Sequence, residues 1–191
     1  MPSRLTLEPI GVVHSPLKSK AEAARQPAAA TEATARIELY PGRNFEHALE
    51  DLEGWERIWV LFWFHLNDSW RPKVLPPRSA SGRKGVFATR SPYRPNPLGL
   101  SAVRLERIEG LTLFIRDVDL VDGTPVLDLK PYVPYTDAYP DSATGWLHDE
   151  ADTLQRVRTG AAPPDPITAW SVHFDPLAAE QAAWIESRTG L

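Results

Sequence analysis

Cysteine is absent from this chain of 191 residues, which excludes disulfide bonds, thiolate zinc sites and catalytic thiols. The five histidines are scattered along the chain without the spacing of a metal-binding pair, so we expect no bound metal. No apolar run approaches the roughly 18 residues of a membrane span, and the first residues lack the charged and then apolar pattern of a secretory signal. These absences predict a cytoplasmic protein that does not enter a membrane.

Three sequence motifs of nucleotide binding and hydrolysis are also missing. There is no Gly-x-Gly-x-x-Gly or Walker-A loop, because the glycines of segment 82–85 have the spacing of neither. There is no nucleophile elbow, and no serine has a neighbouring base in the sequence, so a serine hydrolase is not indicated. With 42% hydrophobic residues and seven tryptophans, the chain can still bury the core of one main domain.

Charge of one sign is absent from one stretch of the chain and nearly absent from another, although the net charge is only −4. Residues 71–94 contain seven Lys or Arg and no Asp or Glu, whereas residues 117–152 are acidic apart from Lys130. The basic stretch could follow a phosphate backbone, and the acidic stretch could hold a cationic ligand. The alternative, which charge alone favours, is that both are solvated faces.

Short runs of apolar and β-branched residues recur along the chain, which is the pattern of a β-rich fold. Strands are predicted at residues 5–13, 35–40, 58–65, 85–88, 102–108, 111–118 and 125–129. The run at 58–65 is almost entirely large and apolar, so we expect it to be buried on both faces. Glu109-Gly110 predicts a hairpin turn, and Asn44 is a plausible N-cap for a short helix that ends near Gly54. Many strands with one or two short helices indicate a barrel or a sandwich.

A proline-rich linker predicts the domain boundary. Residues 161–166 read Ala-Ala-Pro-Pro-Asp-Pro, which is the composition of a linker. A strand at 167–174 and an amphipathic helix at 176–187 are predicted to follow it. We therefore divide the chain into a main domain, residues 1–160, and an appendage, residues 161–191, that consists of the linker and a short strand–helix tail.

The proline-rich segment 85–101 is the most informative stretch of the sequence. Each proline fixes its own φ and restricts the residue before it, so the segment is predicted to be a stiff, extended path. Such a path presents polar side chains in fixed directions at little cost in entropy. The side chains concerned are those of Arg90, Ser91, Arg94 and Asn96. The alternative is a structural turn between two strands, with both arginines solvated.

A second constellation begins with the turn sequence of residues 122–125, Asp-Gly-Thr-Pro. Such a sequence forms side-chain hydrogen bonds of its own and is most often only a turn. The strand predicted after it carries Asp128 and Lys130 in phase on one face. Because buried charges need partners, we expect these two residues to pair with each other or with Arg90 or Arg94.

Three further side chains are candidates for binding. Pro131 and Pro134 place Tyr132 and Tyr135 on a rigid segment, where the rings can stack on a planar base. His65 ends the strand predicted to be buried, a position from which a side chain can reach the mouth of a cavity. The alternative for His65 is a capped structural histidine.

These motifs together resemble the TrmO family, also called TsaA-like proteins. Its members are S-adenosylmethionine-dependent methyltransferases that act on a modified adenosine at position 37 of tRNA. The resemblance covers roughly residues 5–147, in the family's order, and rests on segments 10–16, 25–27, 61–65, 85–101 and 122–137. It implies a small single-sheet β-barrel, unlike the usual methyltransferase sheet, and a homodimer with its ligand site near the subunit interface.

The resemblance also implies which residues line the S-adenosylmethionine site. They are Arg25, Gln26, His65, Arg90, Leu100, Asp122, Gly123, Thr124 and Pro125. The family's Pro-Arg-Gln is Ala-Arg-Gln in this sequence, which is a mild departure. A carboxylate such as that of Asp122 would offset the sulfonium or ammonium charge, and an arginine would hold the methionyl carboxylate.

The methyl acceptor implied by the resemblance is N6 of threonylcarbamoyladenosine at position 37, with the anticodon stem-loop held by the basic residues 71–94. The residues that we expect to contact this substrate are Arg94, Asn96, Tyr132 and Tyr135. Methyl transfer needs alignment, a dry pocket and a group that takes one proton, so no metal is required. That group is not identified, and His65 and Asp128 are its two candidates.

Two alternatives stay open. Longer family members continue into a C-terminal domain with an Asp-Pro-Arg-Pro signature, which this sequence lacks. Another adenosine, a small molecule or a protein therefore remains an alternative acceptor. An S-adenosylmethionine-binding regulatory module that has lost RNA catalysis is an alternative of a different class.

Overall fold

A computed structural model describes residues 5–19, 33–77, 79 and 82–149 of the chain. Eight strands lie in this part: β1 Gly11–His14, β2 Thr34–Leu39, β3 Arg57–Trp63, β4 Lys73–Val74, β5 Lys84–Gly85, β6 Leu98–Glu109, β7 Thr112–Arg116 and β8 Pro125–Pro131. The three helices of the same part are single turns, α1 Phe45–Ala48, α2 Pro134–Asp137 and α3 Trp146–Asp149, and a 3₁₀ turn spans Val86–Ala88. None of these helices is long and apolar enough to cross a membrane.

Six of the strands form one closed antiparallel barrel in the order β1-β2-β7-β6-β3-β8, and β4 and β5 form a separate two-stranded sheet. The prediction of a β-rich, single-sheet barrel with few short helices is confirmed. The barrel closes between β1 and β8, where only Gly11 and Val12 are paired with the opposite strand. The hairpin predicted at Glu109-Gly110 joins β6 to β7, and Gly110 has the positive φ of 60° that favours glycine there.

The core of the barrel is a continuous apolar cluster formed by the inward residues of all six strands. Its members with no exposed surface are Val13, Ile37, Ile58, Val60, Val103, Leu113, Ile115 and Val126. Space inside is so limited that a Cβ built on Gly99 would collide with the ring of Phe62. Because burial of apolar area is the main stabilising term in folding, this cluster holds the barrel together.

The prediction that residues 58–65 are buried on both faces is wrong. Along β3, Ile58, Val60 and Phe62 point into the core, whereas the alternate side chains point outward and Trp63 is 43% exposed. The reason is geometric, because a closed barrel has one interior and successive side chains of a strand point to opposite faces.

Several predicted elements differ in their bounds, and β6 begins at Leu98 and not at residue 102. The first strand is β1 and not 5–13, since Leu5 and Leu7 lie exposed before it. The strand expected at 85–88 is only the end of β5 followed by the 3₁₀ turn. Asn44 precedes α1 in the left-handed conformation, with φ 60° and no side-chain capping bond, and this helix ends at Ala48.

The chain divides into two compact units, Met1–His148 and Asp149–Leu191. The predicted linker and the strand–helix tail lie outside the described residues. The division into a main domain of residues 1–160 and an appendage of residues 161–191 therefore stays a prediction.

Candidate functional site

Several of the predicted site residues meet at one end of the barrel, where β1 and β3 finish and β6 and β8 begin. His65 lies two residues beyond the end of β3, and the turn of residues 122–125 leads into β8. A Cβ built on Gly123 would lie 4.0 Å from Nε2 of His65. Gly123 has φ 76°, so this turn needs glycine for its backbone conformation, and the imidazole of His65 lies within ordinary van der Waals distance of it.

The carboxylate of Asp122 ties this turn to the loop after β1. The backbone N–H of Ser15 donates to its Oδ1 over 2.9 Å, and Nζ of Lys18 donates to its Oδ2 over 2.8 Å. The bond from Lys18, and after it the bond from Ser15, lowers the pKa of Asp122. Both oxygens of Asp122 thus have partners within the protein, and the carboxylate holds the shape of the turn.

A second cluster is centred on Asp119, a residue that the sequence did not single out. Oγ of the buried Ser101 donates to Oδ1 of Asp119 over 3.0 Å. Burial raises the pKa of Asp119, and the Ser101 bond, a backbone bond and the positive charge of Arg90 oppose part of that rise. Arg90 is therefore near enough to act electrostatically on a half-buried carboxylate beside Ser101 and Leu100.

The two clusters share one short segment of chain. Asp119 and Asp122 are three residues apart, so their Cα atoms are separated by at most about 11 Å. A single ligand of nucleoside size can span this distance. The structure thus places His65 against the 122–125 turn and Arg90 near Asp119, three residues before that turn.

The proline-rich path is held beside this site by its own hydrogen bonds. A guanidinium nitrogen of Arg94 donates to the carbonyl oxygens of Val86 and Thr89, over 3.2 and 2.9 Å. The N–H of Phe64 donates over 2.8 Å to the oxygen of Pro97, which fixes the path next to His65. Arg94 therefore shapes the loop, while the neighbouring Asn96 is exposed.

Other predicted residues lie elsewhere in the chain. The N–H of Tyr132 donates over 3.0 Å to the oxygen of Arg57, at the opposite end of β3 from His65 and about 20 Å away by the rise of a strand. Tyr135 lies farther along, on α2. Within one chain, neither tyrosine shares the cluster around His65.

The remaining predicted site residues are Asp128, Arg25 and Gln26. Asp128 is paired with Lys130 over 2.9 Å, as predicted, and it faces outward opposite Leu61 in the middle of β3. Arg25 and Gln26 lie outside the described residues. Among the described residues, no group of three His, Asp or Glu is placed to hold a metal ion.

The outer face of β3 and β6 adds an apolar surface next to the site. Leu100 of β6 lies opposite Leu61, and Leu98 lies opposite Trp63. Leu100 is 56% exposed. Large apolar side chains in contact with solvent on a regular sheet face are typical of an interaction surface.

A closed six-stranded barrel with a cluster of polar side chains at one end defines a small all-β ligand-binding domain, distinct from the doubly wound nucleotide-binding folds. Residues 12–138 match the family model of the tRNA-methyltransferase O N-terminal domain. The chain belongs to this family, and the resemblance seen in its motifs is confirmed.

Three relatives show how far the similarity extends. A tRNA (adenine(37)-N6)-methyltransferase of Escherichia coli is 41% identical over 151 residues, which are 75% of this chain and 64% of that protein. A protein of Pyrococcus abyssi, named a probable S-adenosyl-L-methionine-binding protein, is 39% identical over 83% of this chain and 84% of its own length. The crystal structure of TrmO from Pseudomonas aeruginosa superposes with a TM-score of 0.65 at 37% identity, covering 98% of this chain and 76% of that one. The chain thus spans about two thirds of the E. coli relative.

Proposed function

We propose that this protein transfers a methyl group from S-adenosylmethionine to N6 of adenine 37 in tRNA. The observation that carries the proposal is the meeting of His65 with the 122–125 turn at one end of a barrel of this family. The E. coli relative is named for the same reaction. Threonylcarbamoyladenosine is the form of the adenosine that we propose as the acceptor.

The chemistry asks little of the protein beyond placement. The lone pair of the acceptor nitrogen forms a bond to the methyl carbon as the carbon–sulfur bond breaks, and the nitrogen then gives up one proton. The exposed guanidinium of Arg90 is suited to the methionyl carboxylate of the cofactor, and the backbone of the 122–125 turn to its adenine edge. Of the two candidates for proton acceptor, we favour His65, because it lies against the 122–125 turn, whereas Asp128 is ion-paired to Lys130.

The tRNA surface that we propose is the basic excursion between β3 and β6, residues 69–97. Two of its cations lie over aromatic rings, Arg71 at 4.9 Å from the ring centre of Tyr93 and Lys84 at 5.3 Å from that of Trp146. Cations interleaved with aromatic rings suit a phosphate backbone with unpaired bases. Because tRNA is the substrate, we place the protein in the cytoplasm.

We also propose that the protein is a homodimer that associates through the outer face of β3 and β6. The exposed Trp63 and Leu100 support this, because a C2 interface needs one self-complementary apolar patch. Such an interface would place Leu100 in the dimer contact and the cofactor site next to it.

The test of activity is methyl transfer from labelled S-adenosylmethionine to tRNA carrying threonylcarbamoyladenosine, followed by nucleoside analysis. The expected product is the N6-methylated nucleoside, with RNA affinity that falls with salt by a log–log slope of about −0.7 to −0.9 per phosphate contacted. Arg90→Ala should weaken cofactor binding by about 1–3 kcal/mol. The matched control is Arg43→Ala, since Arg43 pairs with Glu8 on the surface outside β3 and β6.

A second candidate function is an S-adenosylmethionine-binding module without RNA catalysis. The name of the Pyrococcus relative, which matches this chain over most of both lengths, favours it. Cofactor binding by calorimetry without transfer to any tRNA, and without salt-sensitive RNA binding, would support the module and contradict the methyltransferase.

Sedimentation velocity over a range of concentrations tests the dimer. Trp63→Ser should shift the protein toward monomer. Trp55→Ser is the control, because Trp55 is also exposed but lies outside the proposed interface. A wild-type monomer at all concentrations, or equal effects of both variants, would contradict this interface.

A further inference from the structure

The large apolar ring of Phe87 is exposed to solvent, although the residue before it is buried. It is 75% exposed at the centre of the 3₁₀ turn Val86–Ala88, whereas its neighbour Val86 is 2% exposed. The buried valine fixes the turn to the protein, and the phenylalanine points away from it. The ring is not part of the barrel core, and most of its surface is open to a ligand.

Hydrogen bonds hold this turn on several sides. The N–H of Val86 donates over 3.0 Å to the oxygen of Pro72, and Nε1 of Trp146 donates over 2.8 Å to the oxygen of Ala88. Arg94 donates to the oxygens of Val86 and Thr89 from the other side. A ring on so constrained a turn loses little freedom when it meets a ligand, which is the condition for an efficient contact.

The surroundings of Phe87 are positively charged. The guanidinium carbon of Arg94 lies 5.7 Å from the centre of the Phe87 ring. Along the sequence, no Asp or Glu occurs between Asp68 and Glu106. An exposed aromatic ring with a cation beside it, in a segment without acidic residues, suits single-stranded nucleic acid, because every base has a face that stacks.

We infer that Phe87 is a stacking platform for an unpaired base of the RNA acceptor, next to the adenosine that is methylated. The inference rests on the proposed function, since it assumes an RNA substrate. Phe87 lies three residues from Arg90, so the Cα atoms are at most about 11 Å apart, and the stacked base lies close to the cofactor site.

Charge favours RNA over a second copy of the chain as the occupant. In a symmetric dimer centred on this patch, Arg71, Arg90 and Arg94 would face the same residues of the partner, and like charges across an interface repel. The outer face of β3 and β6, in contrast, offers exposed apolar side chains for self-association.

The test compares Phe87→Leu, which keeps an apolar side chain without a planar ring, with Phe87→Tyr, which keeps the ring. The probe is a synthetic RNA hairpin with the anticodon-arm sequence and an open loop, and the control probe is the same RNA with its loop closed into a duplex. Phe87→Leu should weaken binding of the open hairpin about 5- to 150-fold, and Phe87→Tyr should bind like the wild type. Binding of the duplex should not change.

The salt dependence and two further measurements isolate the stacking. The slope of log affinity against log salt should stay the same in Phe87→Leu and become shallower in Lys73→Ala, which removes a cation of the same excursion. Cofactor affinity and the sedimentation coefficient of Phe87→Leu should equal those of the wild type. Equal hairpin affinity of Phe87→Leu and wild type, or a loss of cofactor binding or of dimer instead, would overturn the inference. A wild type that binds no RNA at all would mark the failure of the proposed function itself.

Discussion

The two faces of β3 are made of similar apolar residues but have opposite surroundings. Ile58 and Val60 on the inner face have no exposed surface, whereas Trp63 on the outer face is 43% exposed. The inner face stabilises the barrel through packing, and the outer face leaves apolar area for another surface to cover. Within one strand, stability and recognition are thus separated by the alternation of side chains.

The substitution with the largest expected effect on the difference between the two faces of β3 is Ile58→Ala. Removal of a fully buried Ile side chain leaves a cavity in the core, and the free energy of unfolding should fall by about 2–5 kcal/mol. Urea denaturation at a protein concentration too low for association measures this. Leu61→Ala, on the outer face of the same strand, is the control and should cost clearly less. Equal losses would mean that the two faces do not differ.

A smaller change tests how tightly the inner face is filled. Gly99→Ala places a methyl group against the Phe62 ring, and overpacking of this kind should lower the free energy of unfolding by about 1–3 kcal/mol. The double variant Gly99→Ala, Phe62→Leu should recover part of the loss, because the smaller side chain makes room. Purely additive losses would contradict a direct clash.

The pH dependence of the free energy of unfolding distinguishes the contribution of the charged site residues from that of the apolar core. Because burial raises the pKa of Asp119, the folded protein holds that proton more firmly than the unfolded chain, and stability is lost as the pH rises through the folded pKa. The stability of Asp119→Asn relative to wild type should therefore increase as the pH rises from about 3 to 7.

Asp122→Asn is the matched variant of opposite sign. Lys18 and Ser15 lower the pKa of Asp122, so the carboxylate contributes stability above its unfolded pKa and loses it as the pH falls through the folded pKa. Asp122→Asn should fall behind the wild type as the pH rises. The same trend in both variants, in denaturation curves across this range, would refute the assignment of the two environments.

The smallest expected effect on folding belongs to the outer face. Trp63→Ser, measured on the monomer, should lower the free energy of unfolding by clearly less than Ile58→Ala does, because the Trp63 side chain is already 43% exposed. The same variant is expected to have a large effect on self-association. A large loss of monomer stability would show that the outer face is part of the core after all.

The sequence was a good guide to the fold class and a weaker guide to burial. Short apolar runs predicted the β-rich barrel, and Gly110 marked the β6–β7 hairpin. The double burial of β3 was predicted wrongly, because composition alone does not distinguish a side chain covered by its own chain from one left for a partner. Residues 86–88, which were expected to form a strand, form a 3₁₀ turn. Arg94 donates a hydrogen bond to the carbonyl oxygen of Val86 in this turn, and the local sequence preference does not predict such a contact.

The candidate site shows the same division. The resemblance named His65 and the 122–125 turn, which the structure brings together. Asp119 was overlooked, because one more Asp in an acidic stretch is unremarkable until Ser101 is known to lie against it. The one signal in the sequence was its place between two apolar residues, Val118 and Leu120. The structure shows that both of these are about 1% exposed. Tyr132 could not be placed at the far end of β3 before the register of β3 and β8 was known.

The narrow seam between β1 and β8 has a mechanical consequence. Its ladder pairs only Gly11 and Val12 with Val126 and Pro125, against seven pairs between β3 and β6. Backbone bonds from Ile10 to Val126, and between Val13 and the 122–125 turn, extend the contact at its two ends. A short ladder opens locally at a lower free-energy cost than a long one. Amide hydrogens at this junction should therefore exchange with solvent before those in the β3–β6 ladder. The 122–125 turn leads directly into this junction. A molecule bound to the turn would therefore stabilise the closed form of the barrel and slow hydrogen exchange at the junction.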